Sequence, residues 1–513
     1  MHWRNGLRCC VAASILLPVG RLSAQACVAP ASAEMQEAAT TAVEPAKSPS
    51  SSAAAAKPSA KPQPFKNPLY DSDYRYLDDT REKTEYYELL KRLPVGESLS
   101  IDVGGEYRHQ FKDEDRRSLF IGTAASPRWD AFSLNRLRVY ANVSFSDWLR
   151  GYAEVIDAVS IHEDLPPLAI DENRSDVLNL FTDVLLHVGP GPNCRETWLR
   201  FGRQELLYDA ERLISPLDWA NTRRTFDGVK LFSRDKLLDI DAFFTRPVRV
   251  LPRSFDQPDQ SQWFAGIYTT YKGFEHQNVS MYLLALREED VIPGMPTGAT
   301  HRIGSGNHDN RLITNGSRLW GERDDWLWEL EGALQLGRSD AQELIAGAIA
   351  VGIGRKFTGR PLEPTIWMWY DYASGDEDPT DGNISTFNQL FPLAHKYFGF
   401  LDLVARQNVH DLNWQVFVKP TKKLTVLTWL HLMWLAEGQD ALYNSAGIAS
   451  RQDPTGASGR EIGQEIDLLA TYAVRSGVEF QFGYSVLLSG DFIRNTGDGD
   501  NAHLIYTQLS VKF

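Results

Sequence analysis

Cysteine is scarce in this chain. Of 513 residues four are cysteine, and Cys9 and Cys10 fall in an apolar segment at the start. The other two, Cys27 and Cys194, are too far apart to form a disulfide framework or a metal-binding spacing. No run of roughly 18 or more apolar residues occurs, which excludes a transmembrane helix. Positive charge is in deficit, and a formal net charge of -14 argues against nucleic acid as a partner. Catalytic and cofactor signatures are missing as well. There is no G-x-S-x-G and no H-E-x-x-H, and Gly352-Ile353-Gly354 lies within a predicted strand rather than a phosphate cradle. His431 is the nearest candidate base for a wall-mounted hydrolase, but no nucleophile can be assigned to it. Asp376-Glu377-Asp378 with Asp381 lacks EF-hand spacing and reads as a solvated acidic loop. No enzyme activity, metal or cofactor is expected.

What is present is alternation. The chain closes on His503-Leu504-Ile505-Tyr506-Thr507-Gln508-Leu509-Ser510-Val511-Lys512-Phe513. Ile505, Thr507, Leu509 and Val511 share one face, and Tyr506, Gln508, Ser510 and Lys512 share the other. Such a strand has the length and polarity to cross a bilayer at a tilt. A last strand ending in an aromatic is also the mark by which bacterial outer-membrane barrels are recognised for insertion. At the other end, Arg4 and Arg8 precede the apolar run Cys10 to Val19 and the site Ala24-Gln25-Ala26, the pattern of a secretory signal peptide over 1–26. Cleavage there would place Cys27 first, which keeps a lipidated form open as an alternative.

Residues 27–66 are Ala, Ser, Pro, Lys and Glu with almost no aromatics, a composition that cannot bury a core, and they read as a periplasmic tether. Residues 67–97 form a lead-in, with a short helical turn in the Tyr86-Tyr87-Glu88-Leu89-Leu90-Lys91-Arg92 run. From 98 to 513 the period-two pattern predicts strands over 99–111, 132–145, 149–160, 178–189, 196–208, 225–233, 236–246, 262–272, 277–288, 311–321, 325–338, 343–357, 363–374, 412–419, 423–435, 463–474, 478–490 and 502–513. The count, 18, is even, as a closed single-chain bacterial barrel requires. Link lengths alternate too. Ser146-Asp147-Trp148, Arg234-Asp235, Glu322-Arg323-Asp324, Pro420-Thr421-Lys422 and Arg475-Ser476-Gly477 are short, whereas 112–131, 209–224, 247–261, 289–310, 375–411 and 436–462 are long, with 339–342 the exception. A soluble all-β sandwich or propeller has no reason to sort its loops by parity. The predicted fold is therefore all-β: a closed antiparallel transmembrane β-barrel of about 18 strands in the bacterial outer membrane, in contact with its lipid, with strand 502–513 pairing with 99–111. Trp148, Trp263, Tyr268, Trp326, Trp328, Trp367, Trp369, Trp414, Trp429 and Trp434 are placed as interfacial girdles.

Parity then reads the inner face. With Leu137, Val139, Ala141 and Val143 outward, Arg136, Arg138 and Tyr140 point inward. The same logic sends Arg150, Tyr152, Glu154, Arg200, Lys230, Asp239, Asp241, Glu329, Glu331, Gln335, Asp371, Asn413, Gln415, Lys419, Glu465, Asp467, Thr471, Glu479, Gln481 and Lys512 inward. A basic side chain facing the lipid midplane would cost about 2–4 kcal/mol. A lumen so charged offers arginine forks for a carboxylate, or it braces itself by pairing acids with arginines across the lumen. Both readings stay open at this point.

The segment Leu199-Arg200-Phe201-Gly202-Arg203-Gln204-Glu205-Leu206-Leu207-Tyr208-Asp209, running on through Ser215-Pro216-Leu217-Asp218-Trp219 to Asn221-Thr222-Arg223-Arg224-Thr225-Phe226-Asp227-Gly228, resembles the alginate-export family of outer-membrane barrels. Asp325-Trp326-Leu327-Trp328-Glu329-Leu330-Glu331-Gly332-Ala333, Gly463-Gln464-Glu465-Ile466-Asp467-Leu468 and the Phe513 ending carry the resemblance over roughly 98–513. It implies an 18-stranded pore that passes an acidic polysaccharide such as alginate outward, by passive and electrostatically guided diffusion, through an arginine-rich constriction. By that resemblance Arg136, Arg138, Arg200, Arg203, Arg223 and Arg224 are the constriction residues, with Glu154, Asp209, Glu465 and Asp467 as counterparts. A monomer is implied, with periplasmic secretion or biosynthesis proteins as candidate partners and the loop 375–411 as a gate over the mouth. The alternatives are a general or uptake porin for small anionic solutes or oligosaccharides, and a non-transporting barrel that is an enzyme or a surface scaffold.

Overall fold

Every second residue of a strand faces the same way, so a chain with alternating apolar and polar residues closes into a wall with one greasy and one wet side. The computed structural model describes residues 64–79, 83, 85–115, 129–189, 195–289, 309–378 and 380–513. The expected signal peptide over 1–26, the expected tether of 27–66 as far as residue 63, and Cys194 lie outside the described residues. The staves, in chain order, are β1 Leu99–Asp115, β2 Trp129–Phe145, β3 Leu149–Ile161, β4 Asn173–Val188, β5 Glu196–Gln204, β6 Phe226–Arg234, β7 Leu238–Arg249, β8 Gln262–Tyr271 and β9 Gln277–Glu289. They continue as β10 Asp309–Arg323, β11 Trp326–Ser339, β12 Gln342–Lys356, β13 Thr365–Ala373, β14 Val409–Thr421, β15 Leu424–Trp434, β16 Glu461–Arg475, β17 Val478–Ser489 and β18 Ala502–Lys512. Each pairs antiparallel with the next, and β18 pairs with β1 in the register Glu106↔Lys512, Gln110↔Gln508, Asp115↔His503. The 18 predicted staves and their closure are thus present. Phe513 is tied in by its own ladder bonds: its N–H donates to the Gly105 carbonyl at 3.0 Å, and its carbonyl accepts from the Gly105 N–H at 2.9 Å.

The two faces separate cleanly. Leu137, Val155, Phe201, Phe244, Ile267, Leu330, Ile353 and Ile505 are 39–54% exposed on the outside, where the bilayer meets them. Their inward neighbours Arg138, Tyr152 and Tyr506 are 1–2% exposed. Such burial requires that the lumen be filled, and two long links fill it. Residues 205–225, between β5 and β6, and residues 374–408, between β13 and β14, turn into the barrel and pair with each other. Ile214 bridges Phe391, the Ser215 N–H donates to the Phe391 carbonyl at 2.8 Å, and the Phe391 N–H donates to the Leu213 carbonyl at 2.9 Å. Leu206, Ile214, Phe387, Leu390 and Phe391 are at most 1% exposed and pack on the inward Phe226, Phe243 and Phe264. Each large apolar side chain so buried contributes about 1.5–3 kcal/mol, so these loops are part of the core. The expected gate over the mouth, 375–411, is instead a lining inside it.

Two sequence expectations need correction. Strand 196–208 stops at Gln204, because the Glu205 N–H leaves the ladder for the Asn179 side-chain oxygen at 3.0 Å and Leu206 turns inward. Of the ten girdle aromatics, Tyr268, Trp367, Trp369 and Trp429 face the lumen. Trp367 and Trp369 stack at 4.9 Å over Gly354 and Gly352, where an added Cβ would sit 2.5 and 2.4 Å from the rings. Parity, not nearness to a strand end, decides which way these rings point, as the exposed Met368 between Trp367 and Trp369 shows.

Candidate functional site

The β1–β2 register sets Glu106 opposite Arg138 and Arg108 opposite Arg136, all inward. Two arginines directly across a strand pair repel each other. Loop 205–225 resolves the conflict. Arg108 donates to the carbonyls of Asp218 and Ala220, both at 2.6 Å. Arg136 donates to the Ala220 carbonyl at 2.9 Å and pairs with the Asp218 carboxylate at 3.0 Å. One stave over, Arg138 meets Glu154 on β3 at 2.8 Å and Glu106 at 3.2 Å, with Glu205 at 3.7 Å. Arg223, on the loop itself, pairs with both Glu205 and Asp218, and its third nitrogen donates to the Asn67 side-chain oxygen at 2.7 Å. Four arginines and four carboxylates thus interlock where wall and loop meet. Breaking one such buried pair typically costs about 3–5 kcal/mol, because the surviving charge is stranded.

The network is not saturated. Among the described residues, buried Arg108 Nε and Arg136 Nε have no hydrogen-bond acceptor, and Arg138 Nη2 has none closer than the Glu205 carboxylate at 3.7 Å. Every guanidinium N–H is a donor that can be satisfied only by an acceptor, so these three, on adjacent strands, can be met by the oxygens of an anion.

The remaining predicted residues are dispersed. Arg200 on β5 faces inward and grips Asp183 with two bonds, 2.7 and 2.9 Å, while its guanidinium lies 3.8 Å from the Phe181 ring centre. Arg203, three residues on, shares the outward parity of Phe201. It pairs with Asp227 at 2.8 Å and donates to the Asp256 carbonyl, so it is not part of the inner cluster. Among the described residues, Arg224 faces no carboxylate. It donates to the carbonyls of Ser215, Phe391 and Pro392 and fastens the two inward loops to each other. Asp209 belongs to a second charged group, accepting from Tyr268 at 2.7 Å with Arg318 at 3.9 Å. Beside it Arg212 pairs with Glu329 and Glu331, and Arg318 with Glu329.

Among the described residues, Glu465 and Asp467 on β16 oppose no arginine. Glu465 accepts the Leu401 N–H at 2.9 Å, Asp467 lies 3.4 Å from the Phe400 nitrogen, and they anchor the inward loop. The turn there requires Gly399 at φ +86, since any Cβ would strike the Glu465 carboxylate. His431 is fully buried, with Nδ1 2.8 Å from Asp411 and Nε2 3.7 Å from Asp467. Among the described residues no cluster of three or more His, Cys, Asp or Glu side chains is arranged to hold a metal.

Glu106, Arg108, Glu205 and Asp218 were not singled out from the sequence. Parity along 99–111 carries the first two. For the others the signal is a loop too apolar for solvent, with Leu206, Leu213 and Ile214 between its charges.

The family model described as alginate export matches residues 99–506, the whole barrel except its last few residues. The chain belongs to the alginate-export family. It is an outer-membrane barrel. Similar solved structures come from Pseudomonas aeruginosa. The outer-membrane protein OpdK is 13% identical at a TM-score of 0.53, over 82% of this chain and 99% of that one. OccK8 (OprE) is 12% identical at 0.52, over 80% and 98%, and OccK3 (OpdO) 14% identical at 0.51, over 84% and 99%. At such identities the likeness is one of fold. A comparison with curated proteins gave no match.

Proposed function

We propose that this alginate-export-family barrel is a passive channel for small anionic solutes, carboxylated sugars up to oligosaccharide length. The observation that carries it is the set of unmet donors on Arg108, Arg136 and Arg138, grouped at the junction of wall and loop. A carboxylate offers two acceptor oxygens to a guanidinium fork, in charge-assisted bonds about twice as strong as neutral ones. The wall alone presents three arginines against Glu106 and Glu154, so a solute that displaces the loop's Asp218 meets a site of net positive charge. Short solutes are favoured because two loops fold into the lumen, and a polymer would have to displace both. Closure leaves no free strand edge, which supports action as a monomer.

Family membership favours a second reading, outward passage of an acidic polysaccharide such as alginate, with periplasmic secretion or biosynthesis proteins behind it. Planar-bilayer recording separates the two. Anion-selective current blocked by uronate monomers and trimers supports the small-solute path, and block by polyuronate alone supports the polymer. A cation-selective current indifferent to both sugars would overturn the proposal.

A further inference from the structure

Ahead of β1 the chain does not stay outside the barrel. Residues 64–79 enter by the rim that bears the short turns, and among the described residues they form no ladder with any stave. Lys66 N–H donates to the Ser72 hydroxyl at 3.0 Å and the Tyr74 hydroxyl donates to the Pro64 carbonyl at 2.6 Å, so the segment is a self-bonded loop. Its tip is deep: Leu69 and Tyr70 are 4% and 5% exposed among the inward rings of Tyr140, Tyr152 and Phe181. The polar contacts of that tip fall on the charged machinery. The Asn67 side-chain oxygen takes an Arg223 N–H at 2.7 Å, and the Tyr70 carbonyl takes one from Arg150. The Tyr70 hydroxyl donates to the Glu205 carbonyl at 2.6 Å, and the Arg200 guanidinium lies 4.5 Å from the Tyr70 ring centre.

We propose that residues 64–79 are a displaceable periplasmic plug, held in the channel by Asn67 and Tyr70, which an anionic solute competes off. The reading rests on the channel function above. Neutral amide and carbonyl oxygens here occupy arginine donors that a carboxylate would bind more strongly. Release does not detach the segment, because its base is fixed. Lys91 donates to the Val103 carbonyl at 2.6 Å and to the Tyr140 hydroxyl at 3.0 Å, the Tyr86 hydroxyl donates to the Ser476 carbonyl at 3.2 Å, and the Arg475 guanidinium stacks 4.1 Å from the Tyr86 ring centre. Leu93–Val95 then pairs with Leu99–Ile101, which ties the base to β1.

The test compares three forms in planar bilayers: the mature chain, a chain lacking residues 27–79, and Asn67→Ala/Tyr70→Ala in the mature chain. Losing two hydrogen-bonding side chains should raise the open-to-plugged ratio about tenfold, and the truncation should conduct constantly. Synthetic peptide 64–79 should then close the truncated channel from the periplasmic chamber only. Folding is read for each form by heat-modifiable gel mobility. A folded double variant and truncation that both conduct like the mature chain would overturn the plug while leaving the channel reading standing. Absence of current from all three would overturn both. Peptide block from either chamber alike would overturn the assigned site.

Discussion

Replacing Arg136 and Arg138 together by alanine tests the charged lumen most directly. The wall then changes from three arginines facing Glu106 and Glu154 to Arg108 alone facing the same two acids, so the sign of its charge inverts. A unit charge about 5 Å from a permeating ion is worth about 0.8 kcal/mol in water. A screening length of about 10 Å in 0.1 M salt reduces this to about 0.5 kcal/mol. Two lost charges therefore make the path about 1 kcal/mol worse for an anion and about 1 kcal/mol better for a cation, roughly a 30-fold shift in permeability ratio. Reversal potentials in a salt gradient measure it, in the chain lacking residues 27–79 so that the plug does not limit current. Stranding Glu106 and Glu154 has a folding cost of about 3–5 kcal/mol. The companion variant Glu106→Gln/Glu154→Gln guards against a misread loss of fold, since it should move selectivity in the opposite direction. A folded Arg136→Ala/Arg138→Ala barrel whose permeability ratio moves by less than about threefold would refute the electrostatic reasoning.

Three further outcomes are expected. Burial pushes the Lys91 ammonium down to about 8, only partly offset by Asp102, with the Tyr140 hydroxyl and the Tyr74 ring as its other neighbours. The lysine of the unfolded chain, near its ordinary 10.5, binds more protons than the buried one between those values. Folding stability should therefore rise as pH climbs from about 8 to 10.5 and stay flat below, with Lys91→Met abolishing the trend in the urea midpoint. Gly202→Ala should destabilise the barrel by about 1–3 kcal/mol, because Gly202 sits at φ +126 and a Cβ would lie 2.2 Å from the Leu180 carbonyl oxygen; an unchanged urea midpoint would count against this. Arg224→Ala leaves three loop carbonyls without their shared donor, about 2 kcal/mol of loop stability, and should speed proteolysis within 374–408 several-fold while the barrel stays heat-modifiable.

Much of the wall was legible before any fold was known. Arg138, Glu154 and Arg200 face inward because each is flanked by apolar residues that only lipid could accept, Arg136 shares the parity of Arg138, and a one-residue slip would turn every one of them outward. Arg203 shows the limit of a motif. Its place in the family-like segment suggested the constriction, but an odd step from Arg200 puts it on the opposite face. Glu465 and Asp467 face inward as parity requires, yet among the described residues no arginine answers them; they hold the backbone of a loop that approaches from β13.

The sequence by itself determined the barrel: the number of staves, which side of each is wet, and the closure of the last on the first. These follow from a period-two pattern that neighbouring residues enforce locally, because the bilayer accepts only one face. Only the tertiary structure decided what the lumen contains. Whether 205–225, 374–408 and 64–79 lie outside or fold in depends on contacts such as Ile214 with Phe391 and Asn67 with Arg223, between residues more than 150 positions apart. No local periodicity encodes such meetings. They form because the inward loops bring their own apolar side chains and the charges that the wall arginines require.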